Sequence, residues 1–170
     1  EVDVDTLVEA LRASYAGQEL ALTPEQATTI RNEYIAARRA EAEQAQKNLA
    51  AANAAAGDKF LLENAGREGV QVTDSGLQYE VLEMGDGAKP SASDTVTVHY
   101  RGTLLDGTEF DSSYSRNQEA TFGLGQVIPG WTEGLQLMPV GSKFKFFIPS
   151  NLAYGANGPP AIGPNATLVF

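Results

Sequence analysis

The sequence contains no cysteine and a single histidine, His99. The first absence excludes disulfides, a thiolate nucleophile and Cys-ligated metal, and the second excludes the usual multi-histidine zinc sites. Basic residues are scarce. Only 12 Lys and Arg stand against 22 Asp and Glu, and a net charge of −10 repels phosphate backbones and anionic lipid head groups, so no nucleic-acid partner is expected. A long hydrophobic run is missing too. The longest uncharged stretch, 146–170, carries Pro149, Pro159, Pro160 and Pro164 together with Gly155, Gly158 and Gly163, and no membrane helix survives that content. The opening Glu1-Val2-Asp3-Val4-Asp5 has neither the basic nor the apolar region of a signal peptide. A leader already removed leaves the same sequence, so the compartment stays open. At 42% hydrophobic and 20% charged the composition is globular, and 170 residues accommodate one ordinary domain plus a smaller piece.

Proline and glycine are also scarce at first and then abundant: one of eight prolines and four of 17 glycines lie at or before Gly69. The first part therefore reads as helix and the second as strands and turns. Val4, Leu7, Val8, Leu11 and Tyr15 recur at helical spacing, with Gly17 placed as a stop. In Thr23-Pro24-Glu25-Gln26, Thr23 can cap a helix, Pro24 suits its first position and Gln26 can close a capping box. Helical composition then continues to about Asn64, yet between Ala36 and Lys59 the only large apolar residue is Leu49. Such a segment reads as a solvated helical arm of roughly 36 Å, weakened at Gly57, with a disordered linker as the alternative. The helical segments before the arm are too short to close a core, so their apolar face needs a partner, and self-association is favoured. The expected division is a helical dimerisation region over 1–35, a spacer arm over 36–69 and a folded domain over 70–170.

After Gly69 the period changes to two. Apolar and polar residues alternate in Leu77–Val81 and in Val96–Tyr100, and Phe144, Phe146 and Ile148 repeat the pattern, as half-buried antiparallel strands do. Asp106-Gly107 offers a tight turn, and Trp131–Met138 a short helix with Trp131, Leu135 and Met138 on one side. The fold class that follows is α+β: an antiparallel β-sheet wrapped on a short helix, preceded by the helical region and its spacer.

Little nucleophilic chemistry remains open. His99 points to the opposite face of its strand from Tyr100 and reads as a structural edge residue. Glu109 and Asp111 share one strand face and lack the two-sided geometry of a glycosidase pair. Gly123-Leu124-Gly125 has no lysine after it and reads as a loop rather than a phosphate cradle. What is present is a supply of aromatics beside uncharged Pro/Gly loops: Tyr100, Phe110, Phe122, Trp131, Tyr154 and Phe170. Alone, such a set is more often core than pocket.

Six motifs in order give the set a context: Val98-His99-Tyr100-Arg101-Gly102, Asp106-Gly107, Phe110-Asp111-Ser112-Ser113, Val127-Ile128-Pro129-Gly130-Trp131, Ala153-Tyr154-Gly155 and Ala166-Thr167-Leu168-Val169-Phe170. Through them the chain resembles the FKBP-type peptidyl-prolyl isomerases from Val70 onward. The N-terminal helix and long arm resemble the bacterial macrophage-infectivity-potentiator branch, whose members are V-shaped dimers. The resemblance implies a catalytic group of Asp111, Tyr154 and Ile128, the last through its backbone N–H. It implies a substrate pocket floored by Trp131 and walled by Tyr100, Phe110, Phe122, Val127, Ile162 and Phe170. Three departures bear on substrate preference. The loop between Phe122 and Val127 is shorter than in eukaryotic single-domain members, Ala120 stands where many carry an aromatic, and Pro159 takes a place often held by histidine. The family's last strand continues past the position of Phe170, so the chain is expected to be cut short there and its helical region to be incomplete.

The activity so implied is rotation about X-Pro bonds, with no metal or organic cofactor. The partners implied are proline-containing peptides and unfolded chains, a second copy through the N-terminal helices, and macrolide inhibitors. The compartment implied is the bacterial periplasm or outer membrane, with the cytoplasm as alternative. Two rival readings are a catalytically silent chaperone or adhesion module on the same fold, and a coiled-coil scaffold carrying the domain as cargo. Retention of Phe110, Asp111, Ile128, Trp131 and Tyr154 speaks against the first, and the apolar poverty of Ala36–Lys59 against the second.

Overall fold

The computed structural model describes residues 3–18 and 22–170, so the opening Glu1-Val2 lies outside it. The chain divides into two compact units, Glu1–Ala45 and Gln46–Phe170.

In the first unit, helix α1 (Val4–Tyr15) spans the expected apolar stripe. Asp3 caps it, its Oδ1 accepting from the N–H of Asp5 at 3.0 Å and of Thr6 at 3.3 Å. The chain leaves the helix through Gly17 at φ +66°, a conformation glycine adopts without a Cβ penalty. No residue of α1 is buried. Helix α2 (Pro24–Ala65) starts on the reciprocal capping box, with Thr23 N donating to Gln26 Oε1 at 2.8 Å and Gln26 N to Thr23 Oγ1 at 3.2 Å. Residues 36–49 are exposed along it, as their composition leads one to expect.

In the second unit α2 runs through Gly57 without a break. Its last turns cover a sheet. Gly57 is buried against Thr167, where a Cβ would fall 2.4 Å from Oγ1. The Phe60 ring lies 5.7 Å from that of Phe147, and buried Asn64 donates to Gln78 Oε1 at 2.8 Å. The strands of the unit are β1 (Val70–Val72), β2 (Gln78–Glu83), β3 (Thr95–Val98), β4 (Arg101–Thr103), β5 (Glu109–Ser112), β6 (Ala120–Gly123), β7 (Lys143–Ile148) and β8 (Leu168–Val169). Six of them form that sheet in the order β1-β2-β7-β8-β4-β5, and β3 pairs with β6 in a second sheet. All pairs are antiparallel.

Helix α3 (Pro129–Leu137) lies against β7 through two glycines one turn apart. A Cβ on Gly130 would meet Ile148 Cγ2 at 2.5 Å, and one on Gly134 the Phe146 ring at 2.6 Å, so the close approach requires both positions bare. Leu77, Leu124, Trp131, Leu135, Phe146, Ile148, Ile162 and Leu168 form the core of this contact.

Two strand expectations change. Val96–Tyr100 is not one strand: the chain leaves β3 after Val98 and enters β4, in the other sheet, at Arg101. At the crossing Ser113 takes over the backbone of Tyr100, its Oγ accepting from Tyr100 N at 2.8 Å and its N donating to Tyr100 O at 3.0 Å. Phe147, between the alternating Phe146 and Ile148, is also buried, because Phe60 of α2 covers its side of the sheet.

Candidate active site

Aromatic rings from β5, β6, α3, the β3–β4 crossing, the turn at Tyr154 and Phe170 beyond β8 converge on one concavity of about 420 Å³, lined by Tyr100, Phe110, Asp111, Phe122, Gln126, Val127, Ile128, Trp131, Tyr154 and Phe170. Trp131 is its floor because α3 begins at Pro129, which places the indole at the third position of the first turn, against the sheets. Three rings stand edge-on to it, with centroids at 5.1 Å for Tyr100, 5.5 Å for Phe122 and 5.0 Å for Phe170. Phe110 meets Phe170 at 5.6 Å and 88°. These edge-to-face contacts hold the walls without filling the hollow. Gly102 makes the arrangement possible, since a Cβ there would fall 2.6 Å from the Phe110 ring and 2.8 Å from the Phe170 ring.

Two polar members of the lining, Tyr100 and Asp111, are tied together with Arg116. Asp111 Oδ2 accepts from the Tyr100 hydroxyl and its Oδ1 from Arg116, whose Nη2 also donates to the Tyr100 hydroxyl at 2.8 Å. Burial alone would raise the Asp111 carboxyl, but the hydrogen bonds from Tyr100 and Arg116 outweigh it and hold the group below its ordinary range. The Tyr100 phenol moves up, first through burial and then through its bond to Asp111. Arg116 is pushed up chiefly by its hydrogen bond to Asp111. Asp111 is therefore an ionised, fully engaged anchor rather than a proton donor at neutral pH.

Three donors are left over: the buried Trp131 Nε1, which has no partner among the described residues, and two at the mouth of the hollow. Ile128 precedes α3 in extended conformation, and its carbonyl accepts from Trp131 N at 2.9 Å while its own N–H has no partner among the described residues. Tyr154, 43% exposed and also lining the hollow, likewise makes no side-chain hydrogen bond among the described residues. A dry aromatic floor with two free donors at its mouth suits a flat, apolar group bearing carbonyl oxygens.

Of the residues singled out from the sequence, the structure gathers Asp111, Tyr154, Ile128, Tyr100, Phe110, Phe122, Val127, Trp131 and Phe170 around this hollow. Ile162 is the exception. The Pro159 turn, whose carbonyl accepts from Ile162 N and Gly163 N at 2.8 Å each, carries it into the core and to a second hollow beside Leu104, Asn53 and Ala56. Sequence reasoning also missed Gln126, Gly102 and Arg116. Arg116 carried a signal, being the only basic residue between Arg101 and Lys143. His99 has the structural place expected of it, with Nδ1 at 3.0 Å from Ser113 Oγ and its ring stacked on Tyr114 at 4.8 Å. Glu109 is occupied by Arg101 at 2.7 Å and pairs with no second carboxylate. Among the described residues there is no cluster of His, Asp and Glu that could hold a metal.

This fold and hollow define a class of domain that comparison with known proteins identifies. The model of FKBP-type peptidyl-prolyl cis-trans isomerases matches residues 86–170, and that of the domain amino-terminal to such isomerases matches residues 1–81. An FKBP-type isomerase, FkpA, of Aeromonas hydrophila is 54% identical over 91% of this chain and 58% of its own length. The outer membrane protein MIP of Legionella longbeachae is 45% identical over all of this chain and 73% of its own length. The crystal structure of FkpA from Escherichia coli superposes with a TM-score of 0.83 at 40% identity, covering 99% of this chain and 79% of that one. The chain belongs to the FKBP-type peptidyl-prolyl cis-trans isomerase family. It spans about six tenths of the length of the FkpA relatives from Aeromonas hydrophila and Neisseria meningitidis.

Proposed function

We propose that the protein accelerates cis–trans rotation of X-Pro bonds in folding chains. The observation that carries this is the Trp131 floor with the unpartnered Ile128 N–H and Tyr154 hydroxyl at its mouth. Amide resonance sets a barrier of ~18–20 kcal/mol to this rotation, and uncatalysed exchange takes tens to hundreds of seconds. Nothing is broken or transferred, so no nucleophile or cofactor is required. A prolyl ring laid on Trp131 places the preceding carbonyl among aromatic edges rather than water. The planar, charge-separated amide is disfavoured there relative to the twisted form, which has lost resonance. Donors fixed at Ile128 and Tyr154 then hold the flanking carbonyls as the bond turns. Each tenfold of rate needs ~1.4 kcal/mol, within reach of a few such contacts. Exchange spectroscopy on an Ala-X-Pro-Phe peptide tests the reading. Catalytic amounts of protein should collapse the cis and trans exchange times, and unchanged exchange at stoichiometric protein would contradict it.

The wider reading is a dimeric foldase of the bacterial envelope. Its support is the exposed stripe of α1, with Val4, Leu7, Val8 and Leu11 at 65%, 50%, 37% and 61% exposure, which an isolated short helix does not sustain in water. One relative is itself named an outer membrane protein. Removal of residues 1–22 should convert a dimer to a monomer in light scattering while short-peptide turnover persists. A truncated chain that still scatters as a dimer places the interface elsewhere.

A further inference from the structure

The last turns of α2 touch more than the sheet. Asn53 Nδ2 donates to Pro164 O at 2.8 Å, and buried Gly57 admits Thr167 so closely that any Cβ would displace it. Both contacts fall on the segment Pro164–Thr167, and this segment leads to the site in two directions. Asn165 N donates to Gly155 O at 2.7 Å, next to Tyr154, and Thr167 stands three residues before Phe170.

The segment needs holding. Asn165 adopts φ +53°, a left-handed conformation that asparagine tolerates better than most residues with a Cβ, and Tyr154 itself lies between two short 3-10 turns, Ser150–Leu152 and Gly155–Asn157. Gly158 backs directly onto Gly163, where a Cβ would lie 1.9 Å from the carbonyl oxygen. Tyr154 has no side-chain hydrogen bond of its own among the described residues, so no polar partner fixes its hydroxyl and the backbone beneath it sets where the ring starts.

We infer that Asn53 and Gly57 are positioning residues of the active site: the end of α2 sets the Pro164–Thr167 segment, which in turn aims the Tyr154 hydroxyl at the pocket mouth. The inference rests on the isomerase reading. It assigns the C-terminal end of the long helix to the catalytic apparatus rather than to the arm.

The test is a double-mutant cycle on peptide turnover. Asn53→Ala should lower kcat about three- to tenfold with KM nearly unchanged, the range expected when one hydrogen bond is lost. Tyr154→Phe alone should lower it at least as much. In the Tyr154→Phe background, Asn53→Ala should then cost little more, because coupled residues are not additive. Gly57→Ala should lower kcat and shift the Tyr154 ring resonances, and Thr167→Ala in the same chain, which removes the obstructing Oγ1, should restore both. Additive losses in the cycle, or Gly57→Ala turning over normally with Tyr154 resonances unmoved, overturn the positioning role. Full turnover by Tyr154→Phe would instead overturn the role of the Tyr154 hydroxyl, whereas no turnover by the unaltered chain would overturn the isomerase reading on which the inference depends.

Discussion

The two units answer to different physics. Before Ala45 each helix is specified by residues within a few positions of itself: Asp3 and Thr23 cap, Pro24 opens, Gly17 stops, and nothing in α1 is buried. From Gln46 on, little is local. Trp131 is placed by α3, its walls come from distant strands, and the pocket carboxylate is held by residues 11 positions before and five after it. The first unit can therefore be altered piecemeal, whereas the second responds as a whole.

Trp131→Ala should sharpen that contrast most. Removing a buried aromatic that is both floor and core costs about 3–5 kcal/mol, so the thermal transition of the second unit should drop steeply and peptide binding should vanish. Asp111→Ala and Tyr154→Phe come next, each lowering turnover roughly ten- to a hundredfold with little change in the unfolding midpoint. Full activity in the double variant would break the assignment of both.

A smaller effect concerns acid. The Asp111 carboxyl is held below its ordinary 3.8, so its share of stability is present above that value and is lost as pH falls through the depressed folded-state value. Without Arg116 burial weighs more against the charged form, so Arg116→Met should move the acid limb of the turnover profile to higher pH. An unmoved limb would mean that Asp111 does not govern it. Least is expected of Thr23→Ala. Losing this cap should cost α2 about 1 kcal/mol and fray its first turn by hydrogen exchange while leaving turnover untouched, and a loss of turnover would make the two units less separate than described.

The same contrast explains what could be read beforehand. The capping box, the α1 stripe and the start of α3 are local patterns, and each is found within a residue or two of its expected place. The strands beyond Gly69 were legible by alternation until another element intervened. Phe147 and Gln78 are buried only because α2 returns over the sheet, and α2 does so through Asn53, Gly57, Phe60 and Asn64, a helical face on which hydropathy sees one apolar side chain. The pocket residues were legible because their motifs lie in order along the chain. Ile162 was misplaced and Gly102 missed for a common reason: which way a turn carries a side chain, and where a Cβ would collide, are properties of the assembled fold.

Trp131 is the only tryptophan in the chain, so intrinsic indole fluorescence reports on the pocket floor alone. Titration with a short proline-containing peptide should change that emission saturably, and the same peptide with alanine in place of proline should not. Catalysed exchange with no fluorescence response, or an equal response to both peptides, would contradict the claim that the prolyl ring is recognised on Trp131.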